Sequence, residues 1–185
     1  MSDTAADPVP ATAAGSADPA CDVAHGKADI PASTRTLVAV FTSPVARFLL
    51  SYARDAGYHP VLLEPDPGHD GGPAPDGLTT ASSLAGLADE ATDIVVCDHH
   101  RPELGPVLRD ALASPARWVG VLGNPRHPAP HIPALAALGV PGDEIARVHR
   151  PIGLNIGSRT PAEIALATMA GLIADRNGRP GGFHF

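Results

Sequence analysis

Four short apolar runs alternate along this chain with segments of helical periodicity: Leu37-Val38-Ala39-Val40-Phe41, residues 59–64, Ile94-Val95-Val96-Cys97 and residues 118–122. Runs this short and aliphatic, without polar alternation, read as strands covered on both faces, the pattern of a parallel sheet. Between the first two, residues 44–56 carry Val45, Phe48, Leu49 and Tyr52 at helical spacing and stop at Gly57. Further helices are expected over 82–90, 103–113, 133–138, 141–147 and 160–175, with 148–154 open between a fifth strand and a loop. Strand-helix alternation of this kind predicts an α/β fold, a doubly wound and mostly parallel sheet in a single domain over residues 34–178. Residues 65–77 are dominated by proline and glycine and read as a mobile connection.

Residues 1–33 are rich in Ala, Pro, Asp, Ser and Gly without apolar periodicity, so a disordered tail is expected there and a flexible C-terminus over 179–185. The chain is 44% hydrophobic but only 4% aromatic, so small aliphatic side chains must build its core. The net charge is −7 and Lys27 is the only lysine, which argues against a nucleic-acid or anionic membrane surface. Acids stand where a signal peptide would need bases, and no apolar run approaches the length of a membrane span. A soluble cytoplasmic protein is the expectation. Cys21 lies in the polar tail and Cys97 in an apolar run, contexts too different for a disulfide framework. Cys97 reads as a small buried hydrophobe.

In doubly wound sheets ligands bind outside the carboxyl ends of the strands. That rule collects Phe41-Thr42-Ser43, Glu64, Asp98-His99-His100, Gly123-Asn124-Pro125-Arg126 and the loop from Gly153 to Arg159. The first turn is poorly suited to a dinucleotide. Aligning the G-x-G-x-x-G/A fingerprint puts Phe41, Ser43 and Ala46 at its three positions, and Pro44 removes an N–H. Phe41 is expected to intrude where a pyrophosphate would lie, so NAD(P) binding should be weak or absent. Glu64 ends the second strand, where an acid can take a ribose hydroxyl or serve as an ordinary strand-end carboxylate. His99 and its neighbours form the densest group of proton-transfer side chains. His127 and His131 are four apart, but Pro128 and Pro130 break the helix that would align them on a metal, and no metal site is assigned.

The run from Arg150 to Ala165 joins a glycine-bearing loop to a capped helix. Gly153 and Gly157 permit unusual backbone conformations, Thr160 reads as an N-cap, Pro161 as the first helical residue and Glu163 as the acid of a capping box. The N–H groups of such a helix end attract a phosphate or another anion, here beside Arg150 or Arg159.

The same run resembles the signature near the end of the Rossmann-like domain of the XdhC/CoxI family, the accessory proteins of xanthine dehydrogenases. Arg117-Trp118-Val119-Gly120-Val121-Leu122-Gly123-Asn124-Pro125-Arg126 is similar to that family's aromatic-hydrophobic-Gly-x-Leu-Gly-Ser-x-Arg segment, with Asn124 where Ser is usual. The resemblance extends from about Thr36 to Gly178. It implies a maturation chaperone, not an enzyme in its own right, that binds molybdenum cofactor (molybdopterin) and assists its sulfuration or insertion into a xanthine dehydrogenase-type hydroxylase. The implied partners are a xanthine or carbon monoxide dehydrogenase-like subunit, a cysteine desulfurase and a second copy of the chain. Together with the strand-end rule it points to Ser43, Glu64, His99, Gly123, Asn124, Arg126, Gly153, Asn155, Gly157, Arg159 and Thr160 as cofactor-binding residues, with the phosphate on the Gly153 to Thr160 loop. Two features depart from the family pattern. The first turn lacks Gly-x-Gly, and Asp98-His99-His100 stands where Thr-His-Asp is common, leaving His99 as the positional match. The family's longer members carry a cysteine-bearing domain ahead of this one, where here only the tail is expected. Two alternatives remain: an NAD(P)-dependent oxidoreductase using His99 or His100 in proton transfer, and a ligand-free regulatory partner of a molybdenum hydroxylase.

Overall fold

The computed structural model describes residues 19–29, 34–66, 68–69, 77–124 and 126–182. Within the stretch read as a tail, α1 (Pro19–Ala24) is a short helix in a compact unit of its own; residues 1–18 and 30–33 lie outside the described residues, as do 67, 70–76, 125 and 183–185.

The second unit holds a five-stranded sheet of β1 (Thr36–Val40), β2 (His59–Leu63), β3 (Thr79–Ala81), β4 (Thr92–Val96) and β5 (Trp118–Val121) in the order β3-β2-β1-β4-β5. Every pairing is parallel, with Val38 opposite both Val61 and Ile94 and Ile94 opposite Val119. The chain winds outward from β1 to β3 and then returns to place β4 on the other side of β1. The order reverses there, so the crevice between the carboxyl ends of β1 and β4 is the switch point of the sheet.

Side-chain alternation divides the core in two. Val38, Val40, Val61, Leu63, Ile94, Val96, Val119 and Val121 face one layer, formed by α3 (Leu104–Ala113) and α4 (His131–Ala137), which pack together and are followed by the single turn α5 (Gly142–Ile145). Leu37, Ala39, Leu62, Val95 and Cys97 face the other, where α2 (Pro44–Asp55) lies beside α6 (Pro161–Arg176). Each fully buried Val, Leu or Ile contributes about 1.5–3 kcal/mol relative to exposure, so two largely aliphatic layers hold the sheet, with Phe41 in one and Tyr58 and Trp118 in the other. Ser43 caps α2 by accepting the Ala46 N–H at 3.1 Å, with Pro44 as first helical residue. At the opposite edge, Arg117 links buried Asp93 on β4 to Asp175 near the end of α6. Helix α6 therefore runs back from the ligand-binding edge to the amino ends of the strands.

Two local expectations are corrected. Residues 82–90 form turns and not a helix, because Gly86 takes φ of 74°, outside the helical region. Just before them β3 adds an edge strand; its three residues, Thr-Thr-Ala, carry no apolar pattern that would mark it. Residues 148–154 resolve as a loop. A single bridge joins His149 to Gly120, and the Arg150-Pro151 bond that follows is cis.

Candidate functional site at the strand carboxyl ends

The first turn keeps the backbone of a glycine turn while replacing the glycine. Phe41 has φ of 70°, a left-handed conformation that costs a non-glycine residue about 1 kcal/mol. Its ring does not enter the crevice, contrary to the expectation from sequence: it is fully buried in the core layer of α3. Above the ring lies the Arg101 guanidinium, 4.8 Å from the centroid. Arg101 is paired with Glu64 at 3.0 Å and with Glu103 at 3.2 Å. Glu64 in turn accepts the Thr42 N–H at 2.8 Å and the Asp66 N–H at 3.3 Å. Burial opposes ionisation of Glu64, but the bonds from Thr42, Arg101 and Asp66 outweigh it and hold the carboxyl below its ordinary range. The acid at the ribose position is thus engaged by the protein itself, and so is the first-turn N–H.

The carboxyl ends of β4 and β5 are open. His99, His100, Asn124, His127, Pro128 and Pro130 line a cleft of about 490 Å³. The rings of His99 and His100 lie 4.1 Å apart, and Asp98 fixes their turn by accepting the His100 N–H at 2.8 Å. Burial, then the neighbouring His100 and Arg150 charges, lower the His99 pKa, so it stands as neutral imidazole at pH 7. Asn124 accepts the Arg126 N–H at 2.9 Å and shapes the turn above the cleft. Arg126 is exposed, and its guanidinium has no ion-pair partner among the described residues.

Arg150 holds this rim from behind. Its Nη2 donates to the carbonyls of Asn124 at 3.0 Å and Pro128 at 3.1 Å. Gly123 makes room for it: a Cβ there would stand 2.4 Å from Arg150 Nε. Gly120 has a related role, since a Cβ would meet the Trp118 ring at 2.2 Å and Ile152 at 2.9 Å. The Trp118 ring stacks on His149, 4.8 Å between centroids.

The loop after Arg150 departs from the sequence reading. Gly153 has φ of 85°, but it serves packing: a Cβ would strike the α6 backbone at Ala167 and Thr168 at 2.9 Å, and a Cβ on Gly171 of α6 would stand 2.8 Å from the Gly153 Cα. Leu154 N–H donates to the Ala167 carbonyl at 3.0 Å and seals the contact. At the helix end the Glu163 carboxylate accepts the N–H groups of Arg159 at 2.7 Å and Thr160 at 3.1 Å, while Thr160 Oγ1 accepts that of Glu163. The Arg159, Thr160 and Glu163 N–H groups are therefore engaged internally, next to a negative charge. Asn155, Gly157 and Arg159 are exposed.

Of the residues selected from sequence, His99 and Asn124 meet in the cleft, Arg126 and Gly123 belong to its rim, Ser43 is an N-cap and Glu64 an ion-pair partner. The 153–160 residues do not line it. Sequence reasoning missed Arg101 and underweighted Arg150. Arg150 directly precedes a Pro-Ile-Gly motif, a signal that could have marked it; nothing marks the reach of Arg101 to Glu64. Cys97 is buried, and burial followed by the Asp98 charge pushes its thiol up to about 12, the state of a structural cysteine.

Residues 37–172 match the model of the XdhC Rossmann domain. The chain belongs to this XdhC family. A 75-residue segment is 38% identical to the uncharacterized protein YqeB of Escherichia coli K12, covering 40% of this chain and 14% of that protein. A crystal structure described as a xanthine dehydrogenase from Bacillus halodurans superposes with a TM-score of 0.60 at 21% identity, covering 78% of this chain and 43% of that one. At that identity the likeness is one of fold. The XdhC domain here thus spans less than half of either relative. Among its described residues no helix is long and apolar enough to cross a membrane.

Proposed function

We propose that this chain is an accessory factor of a xanthine dehydrogenase-type molybdenum hydroxylase, holding molybdenum cofactor in the cleft at the ends of β4 and β5. The observation that carries the reading is the contrast between two halves of one sheet edge. The dinucleotide position is closed by the Glu64–Arg101 pair over Phe41, whereas the neighbouring cleft presents the neutral His99, Asn124 and His127 in a volume suited to a small molecule. The cofactor supplies the redox-active molybdenum of the hydroxylase. This chain's part is to bind and release it. His99 and Asn124 offer hydrogen bonds to a pterin, and Arg126, free on the rim, offers a charge to its phosphate. Because Glu163 already accepts the Arg159 and Thr160 N–H groups just ahead of α6, Arg126 is a better phosphate contact than the 153–160 loop. The buried Cys97 thiol is not a sulfur carrier in this reading, so sulfuration would draw on a separate cysteine desulfurase, and the hydroxylase subunit is the recipient.

The same closure of the first turn argues against the NAD(P)-dependent alternative. The test mixes the purified chain with cofactor released from a molybdenum hydroxylase and measures retained pterin by fluorescence after gel filtration. Asn124→Ala and Arg126→Ala should each weaken retention by roughly ten- to hundredfold. Arg109→Ala, on the exposed side of α3 beside Asp110, should not. Retention by Arg126→Ala equal to that of the control, or micromolar NAD(H) affinity for the unaltered chain, would overturn the reading.

A further inference from the structure

A doubly wound sheet takes a dinucleotide across its switch point, with one half on either side of the reversal in strand order. Here the two sides have opposite characters. At the ends of β4 and β5 lies the open cleft of about 490 Å³. Toward β2 the first turn has little left to offer. The Phe41 N–H donates to the Leu63 carbonyl at 2.9 Å, that of Thr42 to Glu64 at 2.8 Å and that of Ala46 to Ser43 at 3.1 Å, and Pro44 has none. The guanidinium on that side, buried Arg101, is shared between Glu64 and Glu103. The bond from Arg101 holds the Glu103 carboxyl low, and Glu64 is low as well, so both are charged at pH 7. Asp66, two residues beyond Glu64, adds a third carboxylate. A pyrophosphate on this turn would meet fixed carboxylates where a dinucleotide-binding turn presents N–H groups.

Molybdenum cofactor has two chemical forms: one ends in a single phosphate, the other continues through a pyrophosphate to a nucleoside. We infer that this chain is selective for the single-phosphate form, and that the Glu64–Arg101 pair is the element that turns the dinucleotide form away. The inference rests on the reading of the cleft as a cofactor site and adds to it which form is taken. Selectivity of this kind comes from what is set against the wrong ligand. The pterin and its first phosphate meet His99, Asn124 and Arg126 in either form. Pro128 and Pro130 wall the cleft on one flank, so the second phosphate and the nucleoside extend over the first turn toward Glu64.

The test loads the full chain in parallel with cofactor released from a hydroxylase that carries the single-phosphate form and from one that carries the dinucleotide form, and reads retained pterin by fluorescence after gel filtration over a concentration series. The single-phosphate form should be held at least roughly tenfold more tightly. Glu64→Ala releases the Thr42 N–H and one side of Arg101, both donors to phosphate, so the preference should narrow by roughly tenfold. Arg109→Ala should leave it unchanged. The comparison on the unaltered chain carries the test if Glu64→Ala does not fold. Equal retention of the two forms, a preference for the dinucleotide form, or a preference that folded Glu64→Ala leaves intact would overturn the inference while the cofactor reading stands; retention of neither form would remove both.

Discussion

Arg101 Nη2 lies 3.0 Å from Glu64 Oε1, with 7% and 14% of the two side chains exposed, and the pair spans the gap between the ends of β2 and β4. Removing one partner of a withdrawn pair leaves an uncompensated charge. Arg101→Ala should cost about 2 kcal/mol, less than a fully buried pair because Glu64 keeps an edge toward solvent and retains the Thr42 N–H. Urea unfolding measures it. A loss no larger than that of Arg109→Ala would show that the pair is ornamental.

The same carboxylate sets an acid limit. Glu64 has a folded pKa below its unfolded value, so its stabilising contribution is complete above the ordinary carboxylate range and is lost as pH falls through the lowered value. His99, also lowered, favours the folded state once pH exceeds the ordinary histidine range and loses that contribution on acidification. Thermal midpoints from pH 7 to pH 3 should decline, with a shallower decline in Glu64→Gln below pH 5. Parallel profiles for the two proteins would contradict this assignment.

Phe41 tests whether backbone or packing rules the first turn. Phe41→Gly relieves a left-handed residue worth about 1 kcal/mol but empties a fully buried ring site, a loss of about 3–5 kcal/mol. Net destabilisation of about 2–4 kcal/mol is expected in chemical denaturation, with no gain of NAD(H) binding because Glu64 and Thr42 N–H remain engaged. A more stable variant would mean that strain dominates.

The sheet was legible because its signals are local. Leu37 to Val40 and Ile94 to Val96 are aliphatic runs, Ser43-Pro44 and Thr160-Pro161-x-Glu163 announce helix starts, and each appears where expected. β3 escaped because an edge strand of Thr79, Thr80 and Ala81 needs no buried face. The site was harder to read because its determinants are nonlocal. Arg101 meets Glu64 across 37 positions and Arg150 meets Asn124 across 26, separations that no periodicity encodes. Glycine was ambiguous in the same way: Gly153 looks from sequence like a ligand-approach residue, and only the proximity of α6 identifies it as a packing residue.

Cys97 offers a chemical check on burial. With its thiol pushed up to about 12, almost no thiolate exists at pH 8, whereas Cys21 is exposed. A thiol reagent should label Cys21 promptly and Cys97 only after denaturant is added. Rapid labelling of both sites in the native protein would refute the buried placement.

Gly123 and Arg150 supply the sharpest test of how the cleft is built. Arg150 reaches the carbonyls of Asn124 and Pro128 by lying directly over Gly123, where a Cβ would stand 2.4 Å from Nε. Gly123→Ala therefore displaces the guanidinium, a flexible end that can move, while the strands beneath keep their registers. Two charge-assisted bonds are weakened, each worth about 1.5–3 kcal/mol, although a displaced Arg150 regains part of that from water. The expected outcome is a modest loss of stability, about 1–2 kcal/mol, with a larger effect on order in the rim. Hydrogen exchange should accelerate at Arg126 and His127 but not at Val95 or Val96, and cofactor retention should fall with it. Unchanged exchange across 124–128 would mean that the turn formed by Asn124 and the Arg126 N–H holds the rim without Arg150.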